Sequence, residues 1–478
     1  MTRKRKKVLF LSAGAIALAV FAVTFVLLLN IQAFKPRIEA AASNATGMDV
    51  RIRGRIGIVF VPGFGISVKG VSVRNRGVDV VTIEKMRIGL KLIPLLRREV
   101  QASWIELVKP VFSIVRYKSG RFNFEKPGRT LSEKLLAITK SSISQGNLVF
   151  TDEISAEKIE AQGFALTIKS FTYGGTDNAD SFKNISFTGD IGCKTLKINN
   201  FTLTNLVMTT AGEKGIFNIN PLRMHIFGGT GSGSIHGDAT GTSPHYRVSY
   251  TLSQCKVDEL IQAFSPKKIP RKSIEGLADF FADVTAKGKS VAEVKQSLSG
   301  DVSLKGDNLV LYSIDIDALI PKYERSQNFN LVDVGAFFLV GPFGPVITKS
   351  YNFGSLYEEM QGGKGIIRKL VSIWKIKNGI AEAIDAAIAT KKYRIAMKGG
   401  LDFNDDRFVN VTVAVLDKRG CPVYSQKVHG PFRKPKIEKV SIVKSITGPL
   451  SNALKDAWKI IGGACKVFYS GSVAQPEG

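Results

Sequence analysis

The chain has 478 residues, with 67 lysines and arginines against 40 aspartates and glutamates, so its formal net charge is +27. Apolar residues make up 44% of it, which excludes a disordered chain. Four cysteines in this length exclude a disulfide-dense scaffold, and four histidines leave little material for a metal enzyme. Glycine is abundant at 46 residues while proline is ordinary at 17, which favours many tight β-turns.

The N-terminus carries a membrane-anchor pattern. Five cations, Arg3 to Lys7, precede an uncharged run from Val8 to Leu29. As a helix rising ~1.5 Å per residue, that run spans about 33 Å, against ~30 Å of hydrocarbon in a bilayer. The pattern predicts one transmembrane helix, with the cations on the cytoplasmic side and everything after Asn30 on the far side. A cleaved signal peptide is the alternative, but its apolar region usually has about 7–15 residues, so an uncleaved anchor is favoured.

The exported part keeps a large positive charge. Without the five cations of the anchor it still carries +22. A solvated basic surface is one interpretation, and attraction to anionic lipid headgroups is the other, with each nearby cation contributing roughly 1 kcal/mol. The usual partner of a basic chain, nucleic acid, is not expected on that side of a membrane.

Most of the chain after the anchor has the pattern of β-strands. A short helix is predicted from Pro36 to Ser43, because proline suits a first helical turn. Beyond it the hydrophobic period changes to two, as where Val50 and Ile52 alternate with arginines. Such strands recur every 8–12 residues. Some fifteen to twenty of them, at ~4.8 Å each, would make a sheet of roughly 70–95 Å, which must twist and curl.

Two segments have helical spacing instead. Ile366, Leu370 and Trp374 begin a pattern that predicts an amphipathic helix over Ile366–Ala389, and a second is predicted over Pro449–Ile461. The predicted fold is therefore mainly β with flanking helices, one transmembrane helix preceding a long, curled, mostly antiparallel sheet that forms an open groove. Its predicted parts are a cytoplasmic basic tail at 1–7, a transmembrane helix at 8–29, an N-terminal β region at 30–130, a central β-groove at 131–312, a helix-rich segment at 313–392 and a C-terminal β module with an amphipathic helix at 393–478.

Several short stretches, taken in their order, resemble a known family. They are Gly47 to Ile52, Phe64 to Ile66, Val68 to Val73, Leu90 to Leu96, Gly120 to Phe124, Leu298 to Gly300, Gly306 to Asp317, Phe329 to Gly335, Gly341-Pro342, Asn378 to Ala381, Gly420-Cys421, Gln426, Gly430-Pro431 and Cys465 to Val473. The chain is similar to the AsmA family of bacterial envelope proteins. The resemblance implies a chorein-like N-terminal region, a repeating β-groove of the lipid-transfer class, an inner-membrane protein with its bulk in the periplasm, and no catalytic residues.

The apolar strand faces are the candidate lipid-binding site. In a curled sheet such faces line a trough that acyl chains can occupy, with a transfer free energy of ~25 cal/mol per Å². The groove-lining candidates are Ile56, Ile58, Phe60, Ile66, Val68, Leu166, Ile168, Leu203, Leu304, Leu309, Leu311, Val411 and Val413. Candidate contacts for phosphate headgroups are Arg51, Arg53 and Arg55.

The sequence carries no catalytic or metal motif that stands above chance. The glycine-rich run from Gly228 to Gly233 fits neither a nucleophile elbow nor a phosphate-binding loop and is interpreted as a turn. The four histidines lack paired ligand spacing, so neither a metal nor a cofactor is expected. Cys421 and Cys465 are a candidate disulfide in an oxidising periplasm, with two buried thiols as the alternative.

Two functions of different class follow. The favoured one is a membrane-anchored protein that binds and conducts phospholipid and so supports the outer membrane. The alternative is a non-enzymatic factor with a dry β-core that assists outer-membrane protein assembly through contacts with an outer-membrane or periplasmic protein. An envelope hydrolase would require a Ser/His/Asp cluster assembled in space.

Overall fold

The structure is a computed structural model. It describes residues 14, 31–61, 63–91, 93–94, 102–125, 140–173, 185–199, 201–264, 274–312, 315–326, 363–439, 441–442 and 466–477. Two compact units divide the chain, unit 1 over 1–214 and unit 2 over 215–478. Within the described residues, no helix has the length and apolar character needed to cross a bilayer. Apart from residue 14, the predicted anchor at 8–29 lies outside those residues, as does the predicted helix over Pro449–Ile461.

Both units are built mainly from strands. The strands of unit 1 are β1 (Asp49–Ile52), β2 (Ile56–Val59), β3 (Gly65–Asn75), β4 (Val78–Leu90), β5 (Ala102–Arg116), β6 (Lys140–Asp152), β7 (Glu157–Tyr173), β8 (Ile185–Ile198) and β9 (Phe201–Glu213). Those of unit 2 are β10 (Ile216–Ile226), β11 (Gly229–Asp238), β12 (His245–Lys256), β13 (Ile274–Glu275), β14 (Leu277–Lys287), β15 (Ser299–Tyr312), β16 (Lys364–Lys377), β17 (Ile380–Ala389), β18 (Arg394–Asp402), β19 (Arg407–Leu416), β20 (Pro422–Pro431), β21 (Lys436–Ile437) and β22 (Ser441–Ile442).

The described helices are few and short. A 3₁₀ turn, Ile31–Phe34, leads into α1 (Lys35–Thr46) in unit 1, while unit 2 has α2 (Val257–Phe264), α3 (Val291–Ser297) and α4 (Ile316–Ser326). The predicted helix from Pro36 to Ser43 is confirmed within α1, with its proline in the first turn.

Unit 1 is one open sheet. β1 and β2 both pair with β3, and β3 to β9 then pair in chain order. All of these pairings are antiparallel except that of β5 with β6. Among the described strands, β1 and β2 at one edge do not pair with β9, so the sheet is not closed into a barrel. Helix α1 packs Ile38 and Ala42 against the buried cluster of β1 to β4.

The strands of unit 2 pair antiparallel and carry apolar residues on both faces. They pair in the order β10, β11, β12, and then β14 to β20. The short β13 pairs with β15 on the same side as β14 does. One face packs beneath α2 and α4 around Trp374, which is fully buried. The opposite face of β16 to β19 is lined by small residues and packs against Tyr469 and Val473 of the C-terminal segment.

The predicted helix over Ile366–Ala389 is wrong. These residues form β16 and β17, joined by a two-residue turn in which Asn378 (φ 50°) and Gly379 (φ 76°) both adopt the left-handed conformation. In the middle of β16, from Leu370 to Trp374, both faces are covered, so apolar residues follow one another there instead of alternating. The spacing of four residues between Leu370 and Trp374 then resembles that of a helix. Asn-Gly between two apolar runs was the signal for a hairpin.

Candidate functional site

A row of apolar side chains crosses seven strands of unit 1 in direct register. Each residue of the row is the cross-strand partner of the next. The row consists of Val68 (β3), Met86 (β4), Leu107 (β5), Ile143 (β6), Leu166 (β7), Ile191 (β8) and Met208 (β9). With six strand spacings of ~4.8 Å, this row is about 29 Å long. We call the side of the sheet that carries it the apolar face.

Two further rows lie beside the first on the apolar face. One consists of Val81, Phe112, Leu148, Ala161, Leu196 and Leu203 on β4 to β9. The other consists of Ile114, Phe150, Ile159, Ile198 and Phe201 on β5 to β9. Gly146, Phe164, Cys193 and Leu206 pair in register across β6 to β9 between the first row and the row that begins at Val81. The rows therefore make a continuous apolar band rather than scattered side chains.

The opposite face of the same strands is polar. Arg87 of β4 forms an ion pair with Glu106 of β5 at 2.8 Å, and Lys169 of β7 forms one with Asp190 of β8 at 2.7 Å. Thr209 of β9 donates a hydrogen bond to the same Asp190 at 3.0 Å. The polar groups of this face have hydrogen-bond partners and can remain in contact with water. The apolar face, in contrast, is stable only if something shields it from water.

The described residues cover only part of the apolar face. Helix α1 lies over the β1 to β4 side, where Val68 is 1% exposed. No residue of β6 to β9 belongs to any of the clusters of buried side chains formed by the described residues. Leu166, Ile191 and Met208 are half-buried, shielded by their neighbours in the sheet. At one end of the band the ring of Phe122 lies 6.4 Å from that of Phe150, and Ala161, Cys193 and Leu206 within the band are each 7% exposed. The rest of the band over β6 to β9 is apolar, half-buried and, as far as the described chain extends, without a cover.

All seven strands change their alternation at or next to one level, that of the Gly146–Phe164 pair. Successive residues of the apolar face lie three positions apart there, instead of two, as from Ile143 to Gly146 in β6 and from Ala161 to Phe164 in β7. The residues at this step with a left-handed backbone are Gly70, Lys109, Gln145, Gly163 and Asn205, on β3, β5, β6, β7 and β9. Irregularities of this kind bend a strand, so an aligned set of them bends the sheet along one line, parallel to the apolar row.

Charge marks the end of the apolar face beyond the third row. Arg116 of β5 lies opposite Asp152 of β6 and pairs with it at 3.2 Å. The pKa of Asp152 is lowered, chiefly because the backbone N–H of Ile154 donates to its carboxylate. The ring of Phe122 lies 6.0 Å from the Arg116 guanidinium, and Asn123 beside it is buried and donates to the Ser113 carbonyl at 2.7 Å.

Eight of the thirteen groove-lining candidates lie in unit 1, and the structure divides them into three groups. Ile56 and Val68 are buried under α1, and Phe60 is exposed at the tip of a strand connection. The remaining five are half-buried on the apolar face, and they are Ile58, Ile66, Leu166, Ile168 and Leu203.

The structure corrects the predicted groove-lining role of the five candidates in unit 2. They are Leu304, Leu309, Leu311, Val411 and Val413, and each is 2% exposed or less inside the packed core of that unit. Alternation along a strand shows that one face is apolar but not whether something covers it. Here α2 and α4 supply the cover, so these side chains border no open surface.

The arginines predicted to hold headgroups lie away from the apolar face. On β1, Val50 and Ile52 point into the core, while Arg51 between them is exposed and pairs with Asp49 at 2.9 Å. Arg53 and Arg55 are exposed in the link from β1 to β2, at the edge of the sheet. Their role in headgroup binding stays a prediction.

The described cysteines differ in their oxidation state. Cys421 is disulfide-bonded, whereas Cys193 and Cys255 are free and buried. Burial, and then the nearby charge of Asp279, raise the pKa of the Cys255 thiol to about 11. Cys465 lies outside the described residues, so its pairing with Cys421 stays a prediction.

Sequence reasoning missed most of the row. Met86, Leu107, Ile143, Ile191 and Met208 were not among the candidates. Their alignment into one row depends on which strands pair and in what register. The parallel pairing of β5 with β6 has no local signal in the sequence.

Together, the fold and this face define an open amphipathic β-sheet protein, polar on one side of unit 1 and apolar on the other. A family model described as AsmA family matches residues 1–146 and 151–333, so the chain belongs to the AsmA family. Neither the curated proteins nor the solved structures give a match to this chain.

Proposed function

We propose that this protein is anchored in the inner membrane of a bacterial envelope, with its N-terminus in the cytoplasm and its bulk in the periplasm. There it binds the acyl chains of phospholipids on the apolar face of unit 1 and conducts them from strand to strand. This activity supports the outer membrane and requires neither catalysis nor a cofactor. The family membership and the N-terminal sequence pattern support the location.

One observation carries the lipid-binding part of the proposal: the registered apolar row that extends over β6 to β9 without a cover among the described residues. Water on such a face is unfavourable by ~25 cal/mol per Å² of apolar surface. An acyl chain gains about 0.8 kcal/mol per CH₂ when it leaves water, whether it enters a bilayer or this face. Transfer between the two therefore changes the free energy little, which suits a conduit because a tightly held lipid would not move on.

The bend along the step in alternation supports a trough rather than a flat surface. It runs parallel to the row, so the two parts of each strand on either side of it form the walls. Tails would lie along the row and headgroups would remain at the rims, where water solvates them. Arg53 and Arg55, at the edge of the sheet, are the cations that we assign to headgroups entering from the membrane.

Unit 2 favours a second function for that part of the chain. Its strands β16 to β19 pack on both faces, under α2 and α4 on one side and under Tyr469 and Val473 on the other. A dry β-core of this kind suits contacts with an outer-membrane or periplasmic protein. In this proposal, unit 1 binds lipid and unit 2 binds the outer-membrane or periplasmic protein.

Photocrosslinking at two adjacent residues tests the lipid-binding face. A photoreactive phenylalanine analogue replaces Leu166 of the apolar row in one variant and Thr167, exposed on the polar face, in the other. Both full-length variants are irradiated in bacterial membranes, and phospholipid attached to the protein is measured by mass spectrometry. We expect lipid adducts at 166 and few at 167. Equal yields at the two positions, or adducts at neither, would remove the support for lipid binding and leave the protein-contact function.

A further inference from the structure

Large apolar side chains are exposed at one end of the unit 1 sheet. In the connection from β2 to β3, Val61 is 82% exposed and Phe60 is 58% exposed. Ile93, which follows β4, is 70% exposed. Single exposed apolar residues are ordinary, but three of this size in two adjacent connections form a patch.

The strand pairing places these connections together. Gly65 at the start of β3 pairs with Gly89 near the end of β4, and the Leu90 N–H donates to the Phe64 carbonyl at 2.8 Å. The rings of Phe60 and Phe64 lie 6.0 Å apart. We call this the near end of the sheet.

The N-terminal helix runs toward the same end. Followed backwards along the chain, Ser43 bonds the Val50 N–H at 2.9 Å and Glu39 bonds the Ile52 N–H at 2.6 Å. Gln32 then donates to the Ile56 carbonyl at 2.7 Å. Residues earlier in this N-terminal segment therefore contact residues later in β1 and β2, which lie closer to Phe60. Ile31, where the described chain resumes, therefore lies on the side of the near end, and the predicted anchor at 8–29 precedes it in the sequence.

The opposite, far end of the strands has different chemistry. The hairpin between β3 and β4 carries the Arg74–Asp79 ion pair at 2.6 Å and the exposed Arg76. The turn after β5 carries Lys118, beside the Arg116–Asp152 pair. Val78, at 49% exposure, is an exposed apolar side chain of this end, as are Tyr117, Phe124 and Ile154, so the far end differs from the near end in its charges.

We propose that the near end of unit 1 is a membrane-docking tip, in which Phe60, Val61 and Ile93 insert into the interface of the lipid bilayer that holds the anchor. Aromatic and aliphatic side chains gain free energy on leaving water for this layer, and the exposed Lys91 next to Ile93 suits anionic headgroups. Trp104, the cross-strand partner of Gly89, fits the aromatic belt of such an interface. Insertion at this end sets the rim of the apolar face against the bilayer.

This inference rests on the proposed membrane location but not on lipid binding by the apolar face. A depth measurement on the full-length protein in proteoliposomes tests it. Cys193 and Cys255 are replaced by alanine, and an environment-sensitive fluorophore is attached to Val61→Cys at the near end or to Val78→Cys at the far end. The vesicles contain phosphatidylethanolamine and phosphatidylglycerol, with or without a phospholipid that carries a nitroxide near the glycerol end of its acyl chain. Iodide in the buffer reports exposure to water, and resistance to carbonate extraction confirms that each preparation is anchored.

We expect the label at 61 to be blue-shifted and quenched several-fold more by nitroxide lipid than the label at 78, and the label at 78 to be quenched by iodide. A label at 61 that is quenched by iodide like that at 78 would overturn the docking tip. A label at 61 that neither quencher reaches would also overturn it, because a protein contact would then cover the tip. Lipid quenching at both positions would contradict a docking surface confined to the near end. None of these outcomes alters the photocrosslinking result at 166 and 167, so the two proposals fail independently.

Discussion

Gly146 of β6 lies directly opposite Phe164 of β7, and the Phe164 ring occupies the space that a side chain at position 146 would fill. A Cβ atom built on Gly146 would overlap three carbons of that ring. The ring lies at the step where the strands change their alternation, and it is 6.0 Å from the ring of Phe112 on the same face. The glycine therefore lets an aromatic ring lie on the sheet where the sheet bends.

Gly146→Ala is expected to destabilise the β6–β7 pair by about 1–3 kcal/mol, because the Phe164 ring must leave its position to make room. Gly192→Ala on β8 is the matched control, since the nearest atom to its Cβ would be 3.8 Å away. Hydrogen exchange of peptides from β6 and β7 measures the effect. Equal protection in the two variants would contradict a packing role for Gly146.

The second prediction concerns the lipid content of the purified protein. Leu203→Glu places a carboxylate in the second apolar row, and ionised groups are strongly disfavoured next to hydrocarbon. We expect several-fold less co-purified phospholipid than in the parent protein. Thr202→Glu, one residue earlier on the polar face and opposite Lys197, should keep the parent's lipid content. Circular dichroism of both variants checks that each is folded, and a folded Leu203→Glu protein with undiminished lipid would count against the apolar face as the binding site.

The third prediction is a pH dependence that arises from Cys255. Its pKa is raised to about 11, so the folded state holds this proton more tightly than the unfolded state does. The resulting stabilisation is complete below the ordinary thiol pKa of ~8.5 and is lost as the pH rises toward 11. The parent protein should therefore lose more stability between pH 8 and pH 10 than the Cys255→Ala variant. Identical slopes of unfolding temperature against pH in the two proteins would contradict the burial of this thiol.

The sequence predicted the strands and their apolar faces better than it predicted what covers them. Val68 and Leu304 both alternate with polar neighbours, and both were assigned to one groove. In the structure, α1 covers the first and the core of unit 2 encloses the second. The cover depends on contacts between distant segments, which hydrophobic periodicity cannot report.

The helix predicted over Ile366–Ala389 failed for a related reason. A strand buried on both faces loses its period of two, and spacings of three and four residues then appear by chance. β-Branched residues such as Ile367 and Val371, together with the Asn-Gly turn, carried the better signal for strands. The apolar row could not be assembled from sequence at all, because the register through β5 and β6 depends on a parallel pairing across residues 117–139.

The fourth prediction concerns which cysteine is bonded to Cys421. Digestion under non-reducing conditions, with free thiols alkylated first, should yield a peptide that links Cys421 to Cys465. A closed loop of this size stabilises a fold by roughly 3–4 kcal/mol in the chain-entropy model. Cys193 and Cys255 are internal controls, because both should appear as single alkylated peptides once the protein is denatured. Recovery of Cys465 as an alkylated peptide from undisturbed protein would rule out this pairing.

The fifth prediction concerns the C-terminal segment and its contact with β17. The Tyr469 hydroxyl donates to the Asp385 carboxylate at 2.5 Å and accepts from the Val473 N–H at 3.0 Å, and Val473 is fully buried. Burial and then the hydrogen bond to Asp385 raise the pKa of Tyr469, so the hydroxyl keeps its proton throughout the physiological range.

Tyr469→Phe removes the donor to the carboxylate and leaves the buried N–H of Val473 without its acceptor. Unsatisfied buried groups cost about 1–3 kcal/mol each, so we expect the segment 466–477 to detach more often from its sheet. Hydrogen exchange of that segment should accelerate by about tenfold or more, since ~1.4 kcal/mol corresponds to a factor of ten, while the rest of unit 2 exchanges as before. Tyr246→Phe, at a tyrosine 40% exposed on β12, is the control and should change nothing in the segment. Unchanged exchange in Tyr469→Phe would mean that apolar packing of Tyr469 and Val473 alone holds the C-terminal segment in place.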